Sequence, residues 1–188
     1  MNEATQQQDQ AGVLDVAILG AGFGGIGAAI KLRERGIDNI CVFEKAGGIG
    51  GTWWHNTYPG AACDIPSHLY CYSFEPNPNW SRKYSPQPEI QAYIEHCAEK
   101  YGIERHIRLN TAVNQFVFDD DRKLWIAQLA DGSEVAARHV IFASGGLHLP
   151  AYPEIVGMDS FAGPSMHSAQ WDHTVEFAGK RVGTFTEI

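Results

Sequence analysis

The chain has 188 residues and a formal net charge of −8 at neutral pH, with 44% hydrophobic and 19% charged residues. That balance describes a globular chain with a sizeable core, and its acidity argues against nucleic acid or an anionic membrane surface as a partner. No apolar run reaches the roughly 20 residues that a bilayer span requires. The four cysteines, Cys41, Cys63, Cys71 and Cys97, lack CxxC spacing and fit a reduced, cytoplasmic protein without a structural metal.

Residues 1–12 are polar and Gln-rich and read as a disordered tail, not a signal peptide. The apolar run Val16-Ala17-Ile18-Leu19 then meets Gly20-Ala21-Gly22-Phe23-Gly24-Gly25, a strand turning sharply into a helix. In such a turn Gly20 permits the tight bend, Gly22 lets a pyrophosphate approach the backbone, and Gly25 lets helix and strand pack closely. Ile26, Ala29, Ile30 and Leu32 recur at helical spacing, and Gly36 is a stop signal. Asn39–Phe43 is a short β-rich run with Glu44 at its end, where an acid can hold a ribose hydroxyl. An acid there, in place of Arg or Lys, disfavours a 2′-phosphate. The βαβ unit predicts a site for an adenine dinucleotide.

Between Lys45 and His55 stand four closely spaced glycines and the pair Trp53-Trp54. Glycines let backbone approach a flat ligand and indoles can cover a ring system; a small core beneath a long loop is the other reading. Asp64 stands in apolar company, as a turn former or as an ionised group near a cofactor. His68–Phe74 alternates like a strand, Glu75–Pro88 is a proline-rich loop, and Glu89–Tyr101 has one apolar helical face, with His96 at the surface. Ile107–Leu109, Val113–Phe118, Leu124–Leu129 and Val135–Ala137 read as a small antiparallel meander inserted into the α/β frame. His139–Ala143 is a second parallel strand ending in Ser144-Gly145-Gly146, and Pro150 and Pro153 mark a linker.

Together these residues resemble the class B flavoprotein monooxygenases, and specifically the Baeyer–Villiger type. The resemblance rests on Gly20–Gly25 with Glu44, on Gly50-Gly51-Thr52-Trp53 leading to Tyr58-Pro59-Gly60-Ala61 and Asp64, and on Ala143-Ser144-Gly145. The most diagnostic match is Phe161-x-Gly163-x-x-x-His167-x-x-x-Trp171, which fits the family fingerprint FxGxxxHxxxW. The resemblance covers roughly residues 13–183 and implies an α/β, Rossmann-like FAD-binding domain over 13–150, a fingerprint-bearing linker over 151–178 and the start of an NADP-binding domain over 179–188.

It further implies that Gly20, Gly22 and Gly25 line the FAD pyrophosphate and Glu44 the adenosine ribose. Gly51, Thr52, Trp53 and Tyr70 would lie beside the flavin and the Val113 backbone at the adenine. Asp64 would act catalytically by holding a mobile arginine, and His167 would couple the motion of the two domains. In the family NADPH reduces the flavin, and oxygen from O2 is inserted beside a ketone carbonyl to give an ester or lactone. The chain has no second GxGxxG/A and no counterpart of the downstream arginine, so the resemblance implies a truncated member. Two alternatives stand beside it: a non-catalytic FAD-binding module needing a complementary chain, and a heteroatom-oxidising flavin-containing monooxygenase relative. A small flavin reductase or oxidase is a weaker third.

Overall fold

The computed structural model describes residues 12–184 apart from residue 148, so all but the last residue of the expected tail over 1–12, and the last four residues of the chain, lie outside the described part. A six-stranded sheet is formed by β1 (Leu14–Leu19), β2 (Ile40–Phe43), β3 (Ile107–Arg108), β4 (Val113–Asp119), β5 (Leu124–Leu129) and β6 (Glu134–Phe142) in the order β3-β2-β1-β6-β5-β4. The first four in that order run parallel, with Val16 opposite both Ile40 and His139. β5 and β4 complete the sheet in antiparallel fashion. Three helices follow the chain order: α1 (Phe23–Glu34), the single turn α2 (Thr52–His55) and α3 (Gln87–Lys100).

Alternation in β1 sorts the core. Val16 and Ile18 face α1 and α3, where they meet Ile26, Ile30, Val42, Ile90 and Ile94, while Ala17 faces the opposite side with Cys41, Phe43, Ala127 and Leu129. The helix-covered side holds the larger apolar cluster, as expected where a parallel sheet is roofed by its crossover helix.

The sequence separates Val135–Ala137 from His139–Ala143, but the two form one strand of nine residues. Its first half pairs antiparallel with β5 on one side while the strand pairs parallel with β1 on the other. The meander is therefore fused to the parallel sheet through β6. Ile107–Arg108, expected in the antiparallel set, instead pairs parallel with β2 at the far edge.

His68–Phe74 is not a strand either. Ser67–Leu69 is a 3-10 turn, and a single bridge joins Tyr72 to Glu75. The alternating residues Tyr70 and Tyr72 instead meet the ring of Phe23, each with ring centroids 5.3 Å apart. Their period of two serves an aromatic cluster, with the Tyr72 hydroxyl donating to the Phe23 carbonyl at 2.6 Å.

Beyond β6 the described chain holds only two 3-10 turns, Met158–Ser160 and Ser168–Gln170. The strand expected from Gly179 onward does not form among the described residues. This segment attaches through Trp171, whose ring lies 6.5 Å from that of Tyr58, and through His173, whose Nε2 lies 2.9 Å from the Thr57 hydroxyl.

Candidate dinucleotide cleft

The carboxyl ends of β1, β2 and β6 open onto a cleft of about 410 Å³. Its floor is the turn from β1 into α1. Gly20 adopts φ +100°, and a Cβ there would lie 2.6 Å from the Ala143 carbonyl oxygen at the end of β6. No other residue type closes that turn without displacing β6. α1 begins after Gly22 with no side-chain cap, and Gly22, Phe23 and Gly24 line the cleft. Uncapped first-turn N–H groups and the positive end of the helix dipole make this a place for an anion.

Glu44 is buried beside that turn. Its Oε2 accepts a hydrogen bond from the Ala21 N–H at 2.8 Å and its Oε1 one from the Ala46 N–H at 2.9 Å. The carboxylate thus bridges the glycine turn and the chain leaving β2, with lone pairs left for a ligand hydroxyl.

The opposite wall is α2 and the glycines before it. Gly51 lies so near Gly22 that a Cβ on it would stand 3.2 Å from the Gly22 Cα. Trp53 is buried, and its indole N–H donates to the Tyr70 hydroxyl at 3.0 Å with the two rings edge-on, centroids 5.4 Å apart. Burial pushes the Tyr70 phenol above its ordinary pKa, opposed by the Trp53 hydrogen bond, so it stays a neutral hydroxyl. Trp54 points the other way, half-exposed over Gly48, where a Cβ would collide with its ring at 2.2 Å. One indole therefore lies at the cleft and the other over the loop.

Of the residues singled out from sequence, Gly20, Gly22, Glu44, Gly51, Thr52, Trp53, Tyr70 and Val113 converge on this cleft, with Ala143, Ser144 and Gly145 at its rim. Gly25 does not line it. A Cβ at Gly25 would lie 1.8 Å from the Gly20 carbonyl oxygen, so its part is packing of α1 on the turn. Asp64 is exposed and is not among the lining residues. Phe161, Gly163, His167 and Trp171 also lie off the cleft. His167 Nδ1 accepts from the Ala169 N–H at 3.0 Å and its ring meets Tyr152, while Trp171 packs on Tyr58 and Phe177. Lys45 and His55 line the cleft without having been singled out. His55 stands three residues after Thr52 on a helical turn, a spacing that places both on one face.

Among the described residues no group of three or more His, Cys, Asp or Glu could hold a metal ion, all four cysteines are free, and no helix is long and apolar enough to cross a membrane.

Sheet order, glycine turn and acid at the end of β2 define a Rossmann-like α/β fold, and residues 18–85 match the family model of the NAD(P)-binding Rossmann-like domain. Over 167 residues the chain is 48% identical to a Baeyer-Villiger monooxygenase of Pseudomonas aeruginosa, covering 89% of this chain and 32% of that protein. Among solved structures, the open form of cyclohexanone monooxygenase superposes with a TM-score of 0.84 at 38% identity, over 92% of this chain and 35% of that one. OTEMO in complex with FAD and NADP superposes with a TM-score of 0.78 at 34% identity, over 85% and 30%. Across about nine-tenths of its own length the chain is similar to Baeyer–Villiger monooxygenases, and it spans about a third of the length of the curated relatives it matches.

Proposed function

We propose that residues 13–150 bind FAD and form the flavin-holding part of an NADPH- and O2-dependent monooxygenase acting on small-molecule ketones. The observation that carries this reading is the convergence on one cleft of the uncapped α1 N-terminus, the bridging carboxylate of Glu44 and the Trp53–Tyr70 wall. The residues fit the group. The Gly22–Gly51 approach leaves no side chain where a pyrophosphate would cross, Glu44 keeps acceptors free for a ribose, and Trp53 and Tyr70 form an apolar wall with a neutral hydroxyl.

When bound, the flavin supplies the redox and oxygen chemistry. This chain's residues bind and orient it: Gly20, Gly22 and the α1 amides at the phosphates, Glu44 at the ribose, Val113 beside the adenine, and Gly51, Thr52, Trp53 and Tyr70 at the ring. Asp64 serves catalysis by holding a cation supplied from outside the described residues. The fingerprint residues Phe161, Gly163, His167 and Trp171 belong to a linker over 151–178 that couples this unit to an NADP-binding unit begun at 179. The reductive half belongs to that second unit, in the same polypeptide or in a complementary chain.

The test is titration of the purified protein with FAD, followed by absorbance and by quenching of tryptophan fluorescence, and then by NADPH under air. Saturable binding of FAD with no bleaching by NADPH supports the reading. Absence of saturable FAD binding overturns it.

A further inference from the structure

The wall of the cleft opposite the glycine turn is an irregular segment, and such segments hold a shape only when their backbone groups are tied to something rigid. Here the tie is α3. Gln87 and Gln91 stand four residues apart on it and so share one face. The Gln87 side-chain amide donates to the Trp53 carbonyl at 2.5 Å, and the Gln91 side-chain amide donates to the Ile49 carbonyl at 2.8 Å. The two carbonyls flank the Gly50-Gly51-Thr52 stretch that lines the cleft. The Gln87 backbone N–H adds a third tie, to the Ala61 carbonyl at 2.8 Å.

The orientation of the Gln91 amide is fixed by its surroundings. Its Nε2 lies between two acceptors, the Ile49 carbonyl and the Glu95 carboxylate, each at 2.8 Å, so a flipped amide would set oxygen against oxygen twice. The Gln91 Oε1 is thereby turned inward, buried and without a hydrogen-bond partner among the described residues. A Cβ on Gly50 would lie 2.2 Å from it. A buried acceptor left unpaired is uncommon and calls for a reason. The reason is that the nitrogen end is committed to the wall, and Gly50 is the one residue that admits the oxygen end. α3 itself is anchored by Ile90, Tyr93, Ile94 and Cys97 in the main core.

We infer that Gln87 and Gln91 are positioning residues of the cleft: a two-point amide clamp from α3 that fixes the wall carrying Thr52 and Trp53, and with it the gap to the glycine turn. The inference rests on the FAD reading for its functional consequence, while the clamp itself is open to test in the unliganded protein.

The experiment compares Q87M and Q91M, which keep side-chain length and remove the donors, with E99Q as a control on an exposed position of the same helix. Hydrogen exchange of the unliganded protein is read at Trp53, Trp54 and His55, whose N–H groups bond to the Gly50 and Gly51 carbonyls. Each clamp variant is expected to exchange there about tenfold faster, with exchange in β1 unchanged and E99Q like the parent. FAD affinity is expected to fall about tenfold, and the visible circular dichroism at saturating FAD to change, a signature that a general loss of stability would not move. Unchanged exchange at residues 53–55 in both variants overturns the clamp. Faster exchange with unchanged affinity and unchanged dichroism overturns its role in the cleft. A parent that binds no FAD overturns the FAD reading alone, and the exchange data then still decide the clamp.

Discussion

Replacing Glu44 by Gln separates two tasks that one carboxylate performs. A glutamine can still accept a hydrogen bond from a ligand hydroxyl, so a residue that only met a ribose would tolerate the change in the unliganded protein. The structure gives Glu44 a second task, since its two oxygens accept from the Ala21 and Ala46 N–H groups. A glutamine in the same place offers one oxygen and one NH2, so one of the two backbone donors must face another donor. Ala21 is fully buried and its N–H has no recourse to water, whereas Ala46 is only partly buried. The glutamine oxygen therefore goes to Ala21 and the loss falls at Ala46, together with the charge that strengthened both bonds. A charge-assisted hydrogen bond contributes about 1.5–3 kcal/mol, so E44Q should destabilise the unliganded protein by about 2–3 kcal/mol. That corresponds to a fall in Tm of about 5–10 °C for a domain of this size. The assay is urea unfolding of the unliganded protein followed by tryptophan fluorescence, with E44D as the comparator that keeps the charge but shortens the reach. An E44Q protein within about 0.5 kcal/mol of the parent would refute the reasoning, because water would then be satisfying the amides that the carboxylate is said to hold.

Three further outcomes follow from the same geometry. Gly25→Ala forces a methyl group to within 1.8 Å of the Gly20 carbonyl oxygen, and should cost at least about 3 kcal/mol, read as a lost or strongly shifted urea transition. Tyr93→Phe removes a hydroxyl that accepts from the Tyr72 N–H at 2.8 Å and donates to the Glu75 carbonyl at 2.7 Å; the cost should be about 1–3 kcal/mol, read as a lowered urea midpoint. Burial pushes the Cys41 thiol from 9.0 up to about 11, against a smaller lowering by Arg108. Between those values the unfolded chain ionises while the native one does not, so the native state binds more protons and stability falls as pH rises; below pH 9.0 the contribution is whole. Urea midpoints measured across that window should fall more steeply for the parent than for a Cys41→Ala variant.

The first βαβ unit was legible because its signals are local and agree with one another. Apolar Val16–Leu19, glycines at fixed offsets, helical spacing from Ile26 to Leu32 and an acid at the end of β2 all specify the same turn. Gly51, Thr52 and Trp53 are consecutive, so the segment that brings one of them to the cleft brings all three. What escaped sequence reading depends on pairing at a distance. Nothing local says that β6 continues through Arg138 with a different partner on each side, because that charged residue interrupts the apolar pattern while the strand runs on past it. In His68–Phe74 a period of two mimics a pleat, but it arises from rings converging on Phe23 from an irregular segment. The ties from Gln87 and Gln91 span 34 and 42 residues, and a glutamine on a helix surface is otherwise unremarkable.

These distances also explain why the cleft has the shape it has. Its three walls come from the β1–α1 turn, the 49–54 segment and the end of β6, and the turn meets each of the other two through bare backbone, Gly20 against Ala143 and Gly22 against Gly51. Backbone meeting backbone leaves no side chain to adjust, so the gap between walls is set by what lies behind them. Behind the β1–α1 turn stands the packing of Gly25, and behind the 49–54 segment stand the amides of α3. Substitutions behind the walls should therefore act on cofactor affinity as strongly as substitutions that touch the cofactor. A surface residue of α3 outside the clamp, such as Glu99, has no path to the cleft and should leave that affinity where it is.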